Sequence, residues 1–282
     1  MAEKIVTVDS VDLCVETFGD SADPLLLLLS GMGGSMDTWH PDFCTALADA
    51  GRFVLRFDYR DTGRSVSCPP GKPDYSFFDL MADAVGLIDR FGGGRADLAG
   101  LSMGGGMAQM LAVDHPDKVA SLTLIATSPI FPADLPPLTR ALLDAYAAGT
   151  EPDWNDDEAV VEHLVRSARI HEGPAFFDES EARLDARRLL DRTPDLRTTG
   201  NHGAMRQESR PERDFRTLVG RISVPTLVVH GTADPMFPQE HGAALAEAIP
   251  GATLLLLDGM GHQAPPRPTW DRVIAALPSR TR

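Results

Sequence analysis

The 282-residue sequence predicts an α/β fold: a mostly parallel, doubly wound sheet that begins with an antiparallel hairpin and carries a helical insertion in its middle. Three observations lead there. Short apolar runs alternate with stretches of helical period. One such run passes through Gly100-Leu101-Ser102-Met103-Gly104 straight into a helical stretch. The alternation then stops between residues 130 and 219, where helical periods occur without strands.

Residues 4–8 and 11–18 alternate apolar and polar side chains around Asp9-Ser10, the pattern of a hairpin with one solvated face. The following runs, 24–29, 53–57, 97–101, 120–126, 226–229 and 253–257, are short and apolar-rich, as expected of strands covered on both faces. Between them, residues 41–50, 77–91, 103–114, 238–249 and 268–277 have helical period, with Leu80, Ala84, Leu87 and Ile88 forming one stripe. In the insertion, helices are expected over 138–148, 158–170 and 179–192, separated by Pro, Gly and Asp clusters. The chain therefore divides into a core, 1–129 with 220–282, and a cap, 130–219, placed above the carboxyl edge of the sheet where ligands bind.

Composition narrows the function. With 26 Lys plus Arg against 41 Asp plus Glu, the formal charge is −15, which repels phosphate backbones and anionic lipid surfaces. Neither a nucleic-acid nor a membrane role is expected, and neutral or cationic small molecules are the easier partners. Cys14, Cys44 and Cys68 show no metal-ligand or disulfide spacing, so they read as reduced thiols. The first eight residues lack a secretory h-region, and Leu25 to Leu29 is far too short to span a bilayer. A cytoplasmic location is expected.

The pentapeptide Gly100-Leu101-Ser102-Met103-Gly104 is a G-x-S-x-G turn at a strand-to-helix junction. A nucleophile there needs a strained backbone and neighbours without colliding side chains. A serine hydroxyl is nearly inert at neutral pH unless a histidine, oriented by an acid, takes its proton. Asp234 follows the run 226–229, and His262 follows 253–257 through Asp258-Gly259-Met260-Gly261. Asp258 lies only four residues before His262 and reads as a stabiliser of that loop. His230 reads as a support for the acid loop, while His115 lies in a turn and His241 on a helix. His163, His171 and His202 belong to the insertion and read as surface residues.

An oxyanion hole would combine the Met103 amide with one from Ser30-Gly31-Met32-Gly33-Gly34, where the Met32 N–H is assigned. That glycine-rich loop lacks the Lys-Ser/Thr ending of a phosphate-binding loop. Gly31, Met36, Trp39, Met236, Phe237 and Met260 surround these loops in sequence and are assigned to substrate binding, where Met would adapt to a bulky apolar or aromatic acyl group. The same methionines could equally be core, and Met107, on a helix face, reads as core. Arg166, Arg169, Arg183, Arg187, Arg188, Arg206, Arg210 and Arg213 in the insertion read as solvated residues paired with acids.

Across nearly its whole length the chain resembles the α/β-hydrolase fold family. Gly100-Leu101-Ser102-Met103-Gly104, Asp58-Tyr59-Arg60-Asp61-Thr62-Gly63-Arg64-Ser65 and Gly259-Met260-Gly261-His262 are similar to those of aclacinomycin methylesterases. The elbow and His230-Gly231-Thr232-Ala233-Asp234-Pro235 are also similar to 3-oxoadipate enol-lactonases and cofactor-free haloperoxidases. Ser30-Gly31 departs from the His-Gly that often opens the oxyanion loop in the family. The resemblance implies a serine hydrolase that needs no metal or organic cofactor and acts on a small-molecule ester. Its substrate would be a carboxylic ester, methyl esters of bulky or aromatic acids included. A lactonase or a perhydrolase would use the same three side chains, and a non-catalytic receptor on the same scaffold is the alternative of another class.

Overall fold

The computed structural model describes residues 3–130, 134–208 and 213–278. Eight strands form one sheet in the order β1-β2-β4-β3-β5-β6-β7-β8. β1 (Lys4–Val8) and β2 (Val11–Phe18) make the antiparallel hairpin, and β2 also runs antiparallel to β4 (Phe53–Phe57). From there β4, β3 (Leu25–Leu29), β5 (Ala96–Leu101), β6 (Val119–Ile125), β7 (Thr226–Gly231) and β8 (Thr253–Leu257) are parallel. Their carboxyl ends consequently open on one edge, and every expected strand is present.

Strand periodicity sorts the apolar side chains into two layers. Leu25, Leu27, Leu29, Leu55, Leu98 and Leu124 belong to one packed cluster. Leu26, Leu28, Val54, Ala99, Ile125 and Val229 belong to the other. Both faces are thus covered, by α1 (Pro41–Asp49) and α9 (Trp270–Ala276) in the second cluster and by α2 (Phe77–Phe91), α3 (Met103–Asp114) and α8 (Glu240–Ala248) in the first. β8 differs from the expectation of full cover. It is the edge strand, and Leu254 and Leu256 each stay 38% exposed.

Among the described residues, four helices and a 3₁₀ segment stand between β6 and β7: α4 (Arg140–Ala148), α5 (Asp157–His171), α6 (Glu179–Arg192), the 3₁₀ stretch Leu196–Ala204 and α7 (Phe215–Val219). Thr139, Asp156, Asp178 and Asp214 cap the four α-helices by accepting first-turn amides. Among the described residues no helix is long and apolar enough to cross a membrane.

One buried ionic cluster ties α6 to the core. The Arg192 guanidinium donates to Glu3 at 2.7 Å, to Asp37 at 3.0 Å and to both carboxylate oxygens of Asp58, at 3.0 and 2.5 Å. Asp58 directly follows β4 and is fully buried. Burial pushes its carboxyl pKa up, against the pull of Arg192 and of the amides of Arg64 and Met36. In contrast, Arg183 and Arg187 of α6 pair with Glu158 and Glu162 of α5 at solvent-exposed positions. Removing one partner of a buried pair strands the other charge, whereas exposed pairs are screened. We therefore expect Arg192→Met to lower the urea-unfolding free energy by about 3–5 kcal/mol and Arg183→Met to change it by less than about 1 kcal/mol. Equal losses in the two variants would remove the special standing of Arg192.

Candidate active site

β5 ends at Leu101 and α3 begins at Met103, so Ser102 is the single residue that turns the chain. Its backbone sits at φ 53° and ψ −116°, a region costing a non-glycine residue about 1–3 kcal/mol. Hydrogen bonds from Ser102 N–H to the Ile125 carbonyl, 3.0 Å, and from Thr127 Oγ1 to the Ser102 carbonyl, 2.8 Å, hold it there. The flanking glycines are required sterically. A Cβ on Gly100 would lie 2.3 Å from the Gly104 carbonyl oxygen, and one on Gly104 would lie 2.3 Å from that of Leu29.

At the carboxyl edge Ser102 meets two side chains from the far end of the chain. The Ser102 hydroxyl lies 2.9 Å from His262 Nε2, and His262 Nδ1 lies 3.0 Å from Asp234 Oδ2. Asp234 is a pure acceptor, so His262 donates from Nδ1 and leaves Nε2 to accept the Ser102 proton. The Asp234 side chain is completely buried, and its other oxygen accepts the amides of Met236 at 2.9 Å and Phe237 at 2.8 Å. His230 supports this loop, donating from Nε2 to the Phe237 carbonyl at 2.7 Å. Asp258 is exposed and accepts from Thr232, away from the histidine.

The Met103 amide opens α3, where the first N–H groups lack intrahelical acceptors and the helix dipole favours negative charge. The loop after β3 comes beside it, since a methyl group on Gly31 would sit 3.6 Å from Ser102 Cβ. Among the described residues neither the Met32 nor the Met103 amide donates to another protein group. Both are unpaired donors, one in the residue that follows Ser102 and one in the residue that follows Gly31.

The family model described as the alpha/beta hydrolase fold matches residues 24–265. The chain belongs to the α/β-hydrolase fold family. It is a hydrolase of the esterase type, and its relatives include methylesterases, carbamate hydrolases and an enol-lactonase. The rhodomycin D methylesterase DauP of Streptomyces sp. strain C5 is 32% identical, covering 100% of this chain and 99% of its own. The putative carbamate hydrolase RutD of Variovorax paradoxus is 30% identical over 88% of each chain. Among solved structures, the enol-lactonase from Burkholderia xenovorans superposes with a TM-score of 0.68 at 25% identity, covering 96% of both chains.

Not every residue assigned to substrate binding reaches the cleft of this hydrolase. Met36, Trp39 and Met260 have no accessible surface, and Trp39 and Met260 belong to the packed cluster on the α1 and α9 side of the sheet. That assignment is corrected: none of the three is open to a ligand in this structure. Gly31, Met236 and Phe237 remain partly accessible, and the Phe237 ring stands edge-on to His262 with centroids 5.4 Å apart. Met32 is 62% exposed. Among the described residues no group of three or more His, Cys, Asp and Glu could hold a metal ion.

Two histidines read as surface residues are drawn inward where insertion and core meet, His171 to a half-buried position and His202 to a fully buried one. The His171 carbonyl accepts the His262 N–H at 2.7 Å, and the two rings lie 6.4 Å apart. His202 is buried and accepts the Gly33 amide. Arg192 went unassigned because nothing in its local spacing separates it from its exposed neighbours. Of the eight assigned arginines, Arg169, Arg183, Arg187, Arg188, Arg206 and Arg213 form ion pairs, Arg166 contacts His163 and the Thr150 carbonyl, and Arg210 lies outside the described residues.

Next to His171, burial raises the Glu172 pKa from 4.5 to about 7, with the Asp185 charge adding to it. A raised carboxyl pKa penalises the fold as the group ionises, so the penalty is absent below 4.5, grows between 4.5 and 7 and is full above. Glu172→Gln is therefore expected to raise the thermal midpoint at pH 8 and leave it unchanged at pH 4; an equal shift at both would contradict the burial argument. Separately, Gly104→Ala should abolish soluble expression or cost several °C in thermal midpoint, because its methyl has only main chain to meet.

Proposed function

We propose that the protein hydrolyses a carboxylic ester through an acyl-enzyme on Ser102. The observation that carries this reading is the unbroken chain from the Ser102 hydroxyl to His262 Nε2 and from His262 Nδ1 to Asp234. Ser102 attacks the ester carbonyl as its proton passes to His262, and buried Asp234 stabilises the imidazolium. The tetrahedral oxyanion is received by the Met32 and Met103 amides, of which either alone contributes about 10²–10³ in kcat. His262 then protonates the departing alcohol, and the same imidazole activates the water that releases the acid.

The residues 130–219 act in this reading as the cap of a core made from 1–129 and 220–282. Space for a bulky apolar ester lies on two sides. A cavity of about 510 Å³ between α4 and α5 is lined by Tyr146, Ile170 and His171, whose ring adjoins His262. Another of about 270 Å³ lies beside Met32 and is lined by Phe77, Phe78 and Met205. These walls, together with the likeness to rhodomycin D methylesterases, favour the methyl ester of a bulky or aromatic acid as substrate. A lactone would open by the same steps, and the enol-lactonase likeness keeps it in the assay.

The test is a panel of methyl, short-chain aryl and lactone substrates, run with a fluorophosphonate label. Wild type should label at Ser102 and turn over the methyl or aryl esters. Ser102→Ala should fold normally, fail to label and lose kcat by about 10⁴-fold or more. Near-wild-type turnover by that variant in a clean preparation would refute the serine mechanism, and an unlabelled wild type would favour a non-catalytic receptor.

A further inference from the structure

The oxyanion loop carries one hydrogen bond of its own, from the Gly34 N–H to the Gly31 carbonyl at 3.1 Å, and its other supports come from outside. Three of the five residues Ser30-Gly31-Met32-Gly33-Gly34 are glycine, and Gly33 takes the left-handed φ of +71°. Its ends are fastened to the core: Tyr59 donates to the Ser30 carbonyl at 3.2 Å, Ser30 Oγ to the Ser35 carbonyl at 3.0 Å, and the Met36 amide to Asp58 at 2.9 Å. The middle is fastened elsewhere. The Gly33 amide donates to Nδ1 of His202, 2.8 Å away and 169 residues further along the chain, in the insertion.

His202 is built for that contact. Its Nε2 lies 2.9 Å from the Arg60 carbonyl, which can only accept, so the proton sits on Nε2 and Nδ1 presents a lone pair to Gly33. The ring stands edge-on to Tyr59 at 5.8 Å and to Tyr75 at 6.3 Å. Burial lowers its pKa, which keeps the ring neutral; a proton on Nδ1 would face the Gly33 N–H directly. Thr199, on the same 3₁₀ segment, brings its carbonyl to within 3.3 Å of where a Gly33 Cβ would stand.

We propose that His202 is a positioning residue: the insertion, through this side chain, orients the Met32–Gly33 peptide so that the Met32 amide faces the oxyanion. The His202 contact fixes the plane of the Met32–Gly33 peptide and the Gly34 N–H to Gly31 carbonyl bond closes the turn on the other side, so the φ and ψ of Met32 that aim its amide are held between two fastened points. The inference rests on the ester-hydrolysis reading for its kinetic consequence, but its structural half can be measured without turnover. It makes the insertion part of the oxyanion hole as well as a cover over the site.

Two conservative variants divide the two contacts of the ring. His202→Asn keeps an acceptor at the Nδ1 position and loses the donor to Arg60. His202→Gln keeps a donor at the Nε2 position and loses the acceptor for Gly33. With p-nitrophenyl butyrate, the Gln variant should lose about 10–100-fold in kcat with KM within about threefold. The Asn variant should stay within about threefold of wild type in both. An aryl trifluoromethyl ketone, which places an oxyanion in the same hole, should bind the Gln variant more weakly by the same factor. Amide hydrogen exchange of the 30–36 peptide should quicken about tenfold or more in Gln and stay near wild type in Asn. Equal effects of both variants, or a larger loss in Asn, would overturn the proposal. If the Gln variant does not fold, the Asn variant decides: retained slow exchange supports the role and its loss removes it. A wild type inert to every ester leaves the exchange comparison to decide the positioning claim by itself.

Discussion

The site depends on one close approach of main chain to main chain. With no side chain at Gly104, the start of α3 settles against the end of β3, where a Cβ would meet the Leu29 carbonyl at 2.3 Å. This contact fixes the β5 to α3 turn and holds Ser102 at positive φ. It also brings the loop after β3 beside the serine, since that loop begins one residue beyond Leu29. Ser102, the start of α3 and the Gly31 end of the loop after β3 are therefore brought together by a single packing contact. The strain at Ser102 persists because the surroundings over-determine it.

The insertion is bound to the core at the places where chemistry would occur. The end of α5 meets the histidine loop through the His171 carbonyl and His262 amide, and the start of α4 meets the acid loop through the Thr139 amide and Pro235 carbonyl. The end of α6 meets Asp58 through Arg192, and the 3₁₀ segment meets the loop after β3 through His202. Each of these bonds lies in a partly or wholly buried setting, where a broken hydrogen bond leaves a polar group without water. Any outward movement of the insertion would thus disturb the loops beneath it.

Much of this fold was legible in the sequence because its signals are local. An apolar run of five or six residues followed by a helical stripe says strand then helix without reference to anything distant. G-x-S-x-G is informative for the same reason, since the turn carries its own steric demand. Asp234 and His262 could be found because parallel strands deliver their exits to a common edge, so position after a strand implies position in space. The edges of the helices were less legible; 238–249 begins at Glu240 instead, since Pro238 and Gln239 complete the preceding turn.

The sequence by itself determined the sheet, its hairpin, the elbow and the order of the three side chains around it, because each follows from short-range pattern and chain direction. Only the tertiary structure decided which side chains are sealed and which are open. Met36, Trp39 and Met260 are sealed from the cleft, while Arg192 and His202 are buried and His171 is half-buried against the His262 loop. Burial is set by what packs over a residue from elsewhere in the chain. For those six, the covering atoms come from segments whose approach no local periodicity encodes.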